Sequence, residues 1–491
     1  MTVPVLSAVI VEALRSAELL ADVRGVLPHT LQSITDDSRA ASPGALFVAV
    51  RGSTRDGHGF LPQVAESGAA AAIVADASST TLPVIIVTDT RRAVAVAAAA
   101  WYRQPASELR LVGITGTNGK TTSASMLRHL LTTDAAPAAS IGTLGVLIGS
   151  AGTVHPGGSG LTTPGPIELQ MLLRELVDAG VKWVAMEASS HALDQHRLDG
   201  LQFSAALFTN FTRDHLDYHG SMEAYFAAKA TLIEKLSRDG HVIFNADDPA
   251  WAGLPVSTHR RWRFSTGANF ADVYARRTEY TPSGSNFTLH TPETEPVKVQ
   301  LPLLGDFQVE NAVGVAAVAV ALGLSVNLVA ARLSNMPQVS GRLERLSTSP
   351  AVLRDYAHTP DALERALQSV RPFASGKVIV VFGAGGDRDR GKRPEMGKVA
   401  AELADICIVT SDNPRTENPE QILDDIVAGM PPLKVLREKD RKQAITLAVD
   451  LAGANDLVLL AGKGHETYQI RGTTKYPFDE AQIVAELTAV R

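Results

Sequence analysis

The sequence predicts an α/β protein whose parallel sheets are covered by helices and which is divided into three blocks. Three observations lead there. Short β-branched runs alternate with helical stretches along the whole chain, the pattern of strands joined by helical crossovers. In the second and third blocks nearly every such run ends on a polar cluster, as strands do when their carboxyl ends open on a ligand crevice. The length, 491 residues, exceeds the size at which a single core divides, so two to four domains are expected.

In residues 1–106 the β-type runs are "ALFVAVRG", "AAIVAD" and "VIIVTD", and the block closes with an Ala-rich helix at 91–103 and the linker "QPASE". In residues 107–337 they are "LRLVGITG", "VKWVAMEAS", "FSAALFTNF" and "HVIFNADDP"; in residues 338–491, "VLRDYAHTPD", "KVIVVFGAGGDRD", "ICIVTSDNPR" and "DLVLLAGKGHE". The linkers at 104–108 and 337–341 are short, which predicts domains that hinge. Sheets of this kind, facing each other, would enclose a reaction site. The stretch 312–331, "AVGVAAVAVALGLSVNLVAA", approaches the length of a membrane span. It is mostly Ala, Val and Gly, is broken at Gly323 and Asn327 and lacks aromatic anchors. It therefore predicts a buried helix ending near Gly323, then a second short helix.

Hydrophobic content of 45% and charged content of 20% describe an ordinary globular chain. A net charge of −6 argues against a nucleic-acid or membrane-surface binder. The single cysteine, Cys407, rules out an intrachain disulfide and fits a reducing compartment; its apolar setting predicts a strand-filling role. The N-terminus has no basic n-region and does not read as a signal peptide.

The most informative segment is "LVGITGTNGKTT", 111–122. A phosphate-binding loop is G-x-x-x-x-G-K-[ST], and here the first glycine position holds Ile114, with Gly113 one place early and Gly116 extra. The context still fits: a strand runs in, a helix runs out. Backbone N–H groups of the glycine-rich turn and the helix N-terminus favour a phosphate. Lys120 would reach the β- and γ-phosphates and Thr121 would ligate Mg²⁺. In "MEASSHALDQHR", Glu187 at a strand end could ligate Mg²⁺, while His191 and His196 are badly spaced for one metal and read equally as surface or hydrogen-bonded residues. "NFTRDHLDYHGSMEAYFAAKA" packs Asp214, His215, Asp217, His219 and Lys229 together; a polar loop entering an amphipathic helix explains it as well. Arg342, near a domain boundary, could swing onto a phosphate or be a surface arginine. Pro414 fixes a turn from which Arg415 projects, suited to a carboxylate or simply solvated.

Taken together, "DDSRAASPGALFVAVRGSTRDG", "GITGTNGKTT", "LTTPGPIELQ", "MEASSHALDQHR", "FTRDHLDYHGSMEAYFAAK", "GRLE", "DYAHTPD", "GAGGDRDRGKRPEMG", "DNPRTENP" and "GKGHE" resemble the Mur ligases nearly end to end, and within them the UDP-N-acetylmuramoyl-tripeptide synthetases (the MurE group) of peptidoglycan synthesis. T-G-T-N-G-K-T-T is that family's form of the phosphate loop. The resemblance implies three domains: a smaller N-terminal α/β domain for the UDP part, a central P-loop-type ATP-binding domain with a parallel or mixed sheet, and a C-terminal Rossmann-like domain that receives the amino acid.

It also implies roles. Asp36, Ser38, Ser53, Thr54 and Arg55 would contact the uridine diphosphate end. Thr162, Thr163, Ser189, Gln195 and Arg197 would hold the muramoyl-dipeptide. Gly116, Thr117, Asn118, Gly119, Lys120, Thr121 and Thr122 would bind ATP, with Asn311, Arg342, Asp355 and His358 supplied from across the hinge. Gln308 stands where many relatives have Asn. Thr121, Glu187, His215 and Lys229 would hold Mg²⁺, Lys229 as a carbamate formed with CO₂; its amine must be neutral to attack CO₂, which demands a lowered pKa. Lys120, Lys229, His215 and Arg342 would be catalytic. Arg388, Asp412, Asn413, Pro414, Arg415, Gly462 and Glu466 would receive the amino acid.

The reaction so implied is ATP-dependent: a D-glutamate γ-carboxylate of UDP-N-acetylmuramoyl-L-alanyl-D-glutamate becomes an acyl phosphate that an amine captures. The DNPR form resembles enzymes that add meso-diaminopimelate; L-lysine and L-ornithine are the alternatives. The expected partners are small molecules only, with no nucleic acid and no membrane insertion, for a cytoplasmic monomer. A P-loop kinase would not need "DNPR" or "GKGHE", and a folylpolyglutamate synthetase would not need the "DDSR…RGSTRDG" block.

Overall fold

The run that leads into the glycine-rich loop forms a strand, Arg110–Thr115, buried from Leu111 onward. Burial on both faces is the mark of a parallel strand with helices above and below. The computed structural model describes residues 4–489 apart from 53–54, 78–79, 159, 268–270, 293 and 432–434. The chain divides into two compact units, Met1–Phe264 with Gly314–Leu324, and Ser265–Val313 with Ser325–Arg491.

The first unit holds two large sheets. One has five strands in the order Leu20–Arg24, Val84–Val87, Ala71–Val74, Ala45–Val48, Ser33–Thr35, all parallel except the first pair. The Ala-rich helix Thr90–Trp101 packs beside it, its start fixed by Asp89, whose carboxylate accepts the N–H groups of Arg91 and Arg92. In the other, Arg110–Thr115 lies between Trp183–Glu187 and Phe203–Phe208, both parallel to it. Beyond these come Ala138–Gly142 on one side and Leu236–Asn245 then Arg260–Ser265 on the other, again parallel. Leu172, Leu173, Val184, Leu198, Phe203, Phe208 and Trp251 are among the side chains that fill its core.

The second unit holds a six-stranded sheet in the order Glu344–Thr348, Ala351–Asp355, Leu457–Ala461, Val378–Phe382, Ile406–Val409, Val435–Arg437. Only the first pair is antiparallel. Cys407 sits fully buried in one of these strands, as its apolar setting predicts. The run 312–331 forms parts of two helices, Asp306–Ala321 and Val326–Ser334, with Gly323 at φ +93° between them and Ser325 capping the second. Among the described residues no helix is long and apolar enough to cross a membrane.

Two antiparallel pieces were not legible. Gly145–Ile148 and Thr153–His155 extend the central sheet, and Val273–Thr281, Gly284–His290 and Val297–Leu301 form a meander in the second unit. In Val273–Thr281 only Val273 and Ala275 are buried, so the strand lacks the continuous apolar run by which the parallel strands announce themselves.

Candidate active site

The phosphate loop needs its glycines. Gly116 has φ +147°, and a Cβ there would lie 1.9 Å from the Thr209 hydroxyl; Gly119 has φ +83°. The neighbouring strand templates the loop where it ends. The Thr117 N–H donates to the Asn210 carbonyl (2.8 Å), the Asn118 N–H to Asn210 Oδ1 (2.9 Å), and the Thr209 hydroxyl to the Asn118 carbonyl (2.7 Å). The helix Lys120–Leu131 starts directly after, with Thr121 and Thr122 buried in its first turn. Lys120 Nζ donates to the carbonyls of Gly116 (2.9 Å) and Thr117 (2.7 Å).

Lys229 arrives on the helix Met222–Ala230, whose start is capped by Ser221. Its amine is buried, donates to the Gly116 carbonyl (2.7 Å) and lies 4.4 Å from the centre of the Tyr225 ring. Burial first, then the nearby Lys120 cation, hold its pKa well below the ordinary lysine range, against a smaller opposing pull from Asp214. This helix turns Lys229 inward with Tyr225 and Ala228. His215 stands beside this corner in the left-handed conformation (φ +52°), its ring 4.7 Å from that of His191 and 6.1 Å from that of Tyr225. Burial lowers the pKa of both histidines, that of His191 to about 4 with His215 and His219 adding to the effect. His196 lies apart from this group and pairs with Asp199 (3.3 Å).

Glu187 ends its strand beside the turn that follows Ala138–Gly142. Its carboxylate accepts the Thr143 N–H (2.8 Å) and hydroxyl (3.2 Å), and among the described residues no ion pair reaches it. A buried, cation-free carboxylate near a phosphate loop fits a hard divalent cation, as does the Thr121 hydroxyl; an unmodified Lys229 does not. No group of three or more His, Cys, Asp or Glu side chains is placed to hold a metal among the described residues.

From Glu187 a polar network runs outward through the expected peptide-binding residues. Thr143 is 3.4 Å from Thr162, and the Thr163 hydroxyl donates to the Glu187 carbonyl (2.7 Å) and to Ser189 (3.1 Å). Arg197 grips the Thr163 carbonyl (2.9 Å) and Gln195 (2.6 Å), and Gln195 donates to the Tyr218 hydroxyl (3.0 Å). In the five-stranded part, Asp36 and Ser38 sit at the turn after Ser33–Thr35, and Arg55 is exposed after the strand Ala45–Val48. Ser53 and Thr54 lie outside the described residues.

In the second unit, Asp355 ends a strand in a buried position. Its carboxylate accepts the N–H groups of Leu343 (2.8 Å) and Ala357 (2.9 Å); burial raises its pKa, with Arg342 opposing. Arg342 lies over the Tyr356 ring at 4.7 Å, and its carbonyl accepts the Gln308 side chain at 3.3 Å. That contact gives the longer amide at 308 a use of its own. Asn311 is buried, and His358 Nδ1 is 2.8 Å from the Tyr356 carbonyl.

The expected amino-acid residues follow the ends of three neighbouring strands, Leu457–Ala461, Val378–Phe382 and Ile406–Val409. Asn413 donates to Glu466 (2.9 Å) while its own oxygen accepts from Lys463 (3.0 Å) and the Ile470 N–H (2.9 Å). Lys463, fully buried, also donates to Glu466 (2.9 Å) and faces Asp412 at 3.9 Å. Gly462 has φ +112°, and a Cβ there would lie 2.5 Å from the Asp412 carboxylate. Arg415 has φ +50° and donates through Nη1 to the Gly386 carbonyl (2.8 Å). A Cβ added at Gly385 would meet Arg415 Nη1 at 2.9 Å and Arg388 Cγ at 3.7 Å, so both arginines flank that glycine.

Three family patterns match the chain in sequence: the Mur ligase family catalytic domain at residues 30–107, the Mur ligase middle domain at 114–319, and the Mur ligase glutamate ligase domain at 341–464. The UDP-N-acetylmuramoyl-L-alanyl-D-glutamate--2,6-diaminopimelate ligase of Gloeobacter violaceus is 44% identical, the match covering 98% of this chain and 99% of that one. The chain belongs to the Mur ligase family. The enzyme of the same name from Trichormus variabilis is 44% identical over 95% of this chain and 97% of its own. A solved Mur ligase structure titled as that ligase superposes with a TM-score of 0.69 at 31% identity, covering 100% of this chain and 99% of that one. The three-domain α/β fold of the Mur ligases is therefore the fold of this chain.

The side chains that support the expected site residues were not legible in the sequence. Thr143, Asn210, Tyr218 and Lys463 each contact a named site residue through a side chain or carbonyl. The one available signal was position, since Asn210 follows an apolar strand directly and Lys463 lies inside "GKGHE".

Proposed function

We propose that this Mur ligase adds meso-diaminopimelate to UDP-N-acetylmuramoyl-L-alanyl-D-glutamate at the expense of ATP, with domain limits of 1–106, 107–337 and 338–491. The observation that carries the ligase reading is the buried Lys229 amine held on the carbonyl of the phosphate loop. A simple kinase has no use for a second, desolvated lysine there, whereas a neutral amine can capture CO₂ and become an anionic carbamate. The near-full-length identity to relatives named as diaminopimelate-adding ligases supports the acceptor.

The chemistry follows from the reluctance of a carboxylate to accept a nucleophile. The D-glutamate γ-carboxylate attacks the γ-phosphorus of ATP, and ADP leaves. The amine of the incoming amino acid attacks the acyl carbon of the resulting acyl phosphate, and inorganic phosphate leaves. Lys120, released from the loop carbonyls, offsets charge on the transferring phosphoryl group, and the family resemblance gives Arg342 the same role. Thr121, Glu187, His215 and the carbamate of Lys229 would hold Mg²⁺, which when bound neutralises phosphate charge. Arg197 and Gln195 orient the peptide. Arg415 pairs with the distal carboxylate of the amino acid, while Asn413 and Glu466 take its zwitterionic head.

The test is ADP release with diaminopimelate, lysine and ornithine in parallel, each with and without the UDP-sugar dipeptide. A preference for diaminopimelate of at least about tenfold is expected, because only diaminopimelate brings a distal carboxylate for the Arg415 guanidinium to pair with. Equal rates would remove the role given to Arg415. ADP formed without the dipeptide would favour a kinase or simple nucleotidase.

A further inference from the structure

Arg393 is fully buried, yet it is a charged side chain that the reaction does not use. It sits on the helix Lys392–Leu403, behind the two loops that carry Arg388 and Arg415. Its fork meets the Glu417 carboxylate twice, Nη2 to Oε1 at 2.8 Å and Nη1 to Oε2 at 3.0 Å, and Nη1 also donates to Asp425 (2.8 Å). Glu417 lies two residues after Arg415 on the same turn, and its N–H donates to the Pro414 carbonyl (3.1 Å). Its Oε1 also accepts the Asp387 N–H (2.5 Å), and Arg390 reaches its Oε2 at 3.0 Å. Arg393, foremost among these donors, holds the Glu417 pKa down to about 2.

The same pair governs the other loop. Arg393 Nη2 donates to the Gly385 carbonyl (3.3 Å), and the next carbonyl, that of Gly386, is the acceptor of the Arg415 guanidinium. The Gly386 N–H in turn donates to the Asn413 carbonyl (2.9 Å). Both the backbone that carries Arg415 and the carbonyl that aims its guanidinium are thus tied to one two-pronged ion pair. A bidentate arginine–carboxylate contact fixes direction as well as distance, which a single contact does not.

We propose that Arg393 and Glu417 are positioning residues that set the selectivity of this site for an amino acid with a distal carboxylate. They act only through Arg415: Arg393 has no exposed surface with which to touch a substrate, and the Glu417 side chain is 11% exposed. The proposal rests on the reading of Arg415 given above.

The experiment measures KM and kcat for diaminopimelate and for lysine, and KM for ATP, in the full-length enzyme and in Glu417→Gln, which keeps the shape and loses the charge. Expected are a rise of about tenfold or more in KM for diaminopimelate, unchanged KM for ATP, and a fall of about fivefold or more in the diaminopimelate-to-lysine ratio of kcat/KM. In an Arg415→Ala background the same substitution should leave that ratio unmoved, because the residue through which it acts is gone. Arg393→Lys, which keeps a cation but not the fork, should repeat the shifts and covers the case in which Glu417→Gln does not fold, judged by its melting temperature. A ratio unchanged in the folded variants, or an equal fall with and without Arg415, overturns the proposal. Wild-type enzyme that releases no ADP with diaminopimelate overturns the functional reading instead, so the two failures are distinguishable.

Discussion

The amines of Lys120 and Lys229 converge on one acceptor, the carbonyl oxygen of Gly116, at 2.9 and 2.7 Å. Two ammonium ions on one carbonyl repel each other, and the buried one yields: desolvation, then the nearby Lys120 cation, favours a neutral Lys229. A neutral primary amine in a closed pocket is a nucleophile for CO₂. Lys229→Ala is therefore expected to lower ADP formation by about a hundredfold or more while the melting temperature stays within a few degrees. With ¹³C-labelled bicarbonate, the native protein should show a carbamate carbon signal that the variant lacks. A fully active variant, or a signal that survives the substitution, counts against this role for Lys229.

Gly116→Ala is the sharpest test of the loop. The new methyl would lie 1.9 Å from Thr209 Oγ1, and φ +147° is a conformation that alanine resists at roughly 1–3 kcal/mol. The clash and the strain both fall on the loop that binds phosphate, whose carbonyl also holds both lysines. KM for ATP is expected to rise about tenfold or more, with melting little changed. Adding Thr209→Ala removes the 1.9 Å contact and leaves the strain and the close Asn210 backbone (3.0 and 3.1 Å), so rescue should be partial; complete rescue would mean that neither φ at 116 nor the Asn210 backbone is what requires glycine.

What could be read in the chain, and what could not, divides along sequence distance. Lys120 and Thr121 declare themselves because the loop and helix start are contiguous, and Glu187 because it ends an apolar strand. Thr143 could not be seen, because it reaches Glu187 only through the sheet: Trp183–Glu187 lies between Ala138–Gly142 and Arg110–Thr115, with Met186 opposite Ile141. That register brings residue 143 to the carboxylate across 44 positions of sequence. Asn210 reaches the loop from a neighbouring strand in the same way. Which side of its helix Lys229 faces was not legible either, since the burial of that side beside Tyr225 and Ala228 depends on packing. Strand order is set by long-range packing, and no local pattern encodes it.

Arg441 and Glu480 form a second buried pair, 2.8 Å apart, both side chains without exposed surface. Arg441 also donates to the Ala461 carbonyl (2.9 Å), next to Gly462, so the pair fastens two helix starts to a strand end of the amino-acid site. Removing one member strands the other charge in the interior. Arg441→Met is expected to cost about 3–5 kcal/mol of stability, and the double replacement Arg441→Met with Glu480→Leu to recover part of it. Urea melts of the two variants and the native chain decide this: if the double variant is no more stable than the single, the stranded charge is not the source of the loss.

His465, inside "GKGHE", gives the stability a pH dependence. Burial, then the charge of Arg342, lowers its pKa to about 4, with Glu466 pulling the other way and Arg354 and Glu344 contributing less. A histidine in the unfolded chain titrates near the ordinary value of 6.5. Between these two values the unfolded chain binds a proton that the folded chain refuses, so stability rises with pH across the window. Above about pH 6.5 neither form is protonated there and the residue costs nothing; as pH falls toward 4 the cost grows to about 2 kcal/mol once partial exposure is allowed for, and then levels off. His191, also lowered to about 4, acts in the same direction, so His465→Gln should flatten only part of the dependence. Melting temperatures at pH 5 and pH 7.5 should differ less in the variant than in the native chain. An equal difference would mean that His465 is protonated in the folded state at pH 5, and that the Arg342 charge beside it is compensated by Glu466.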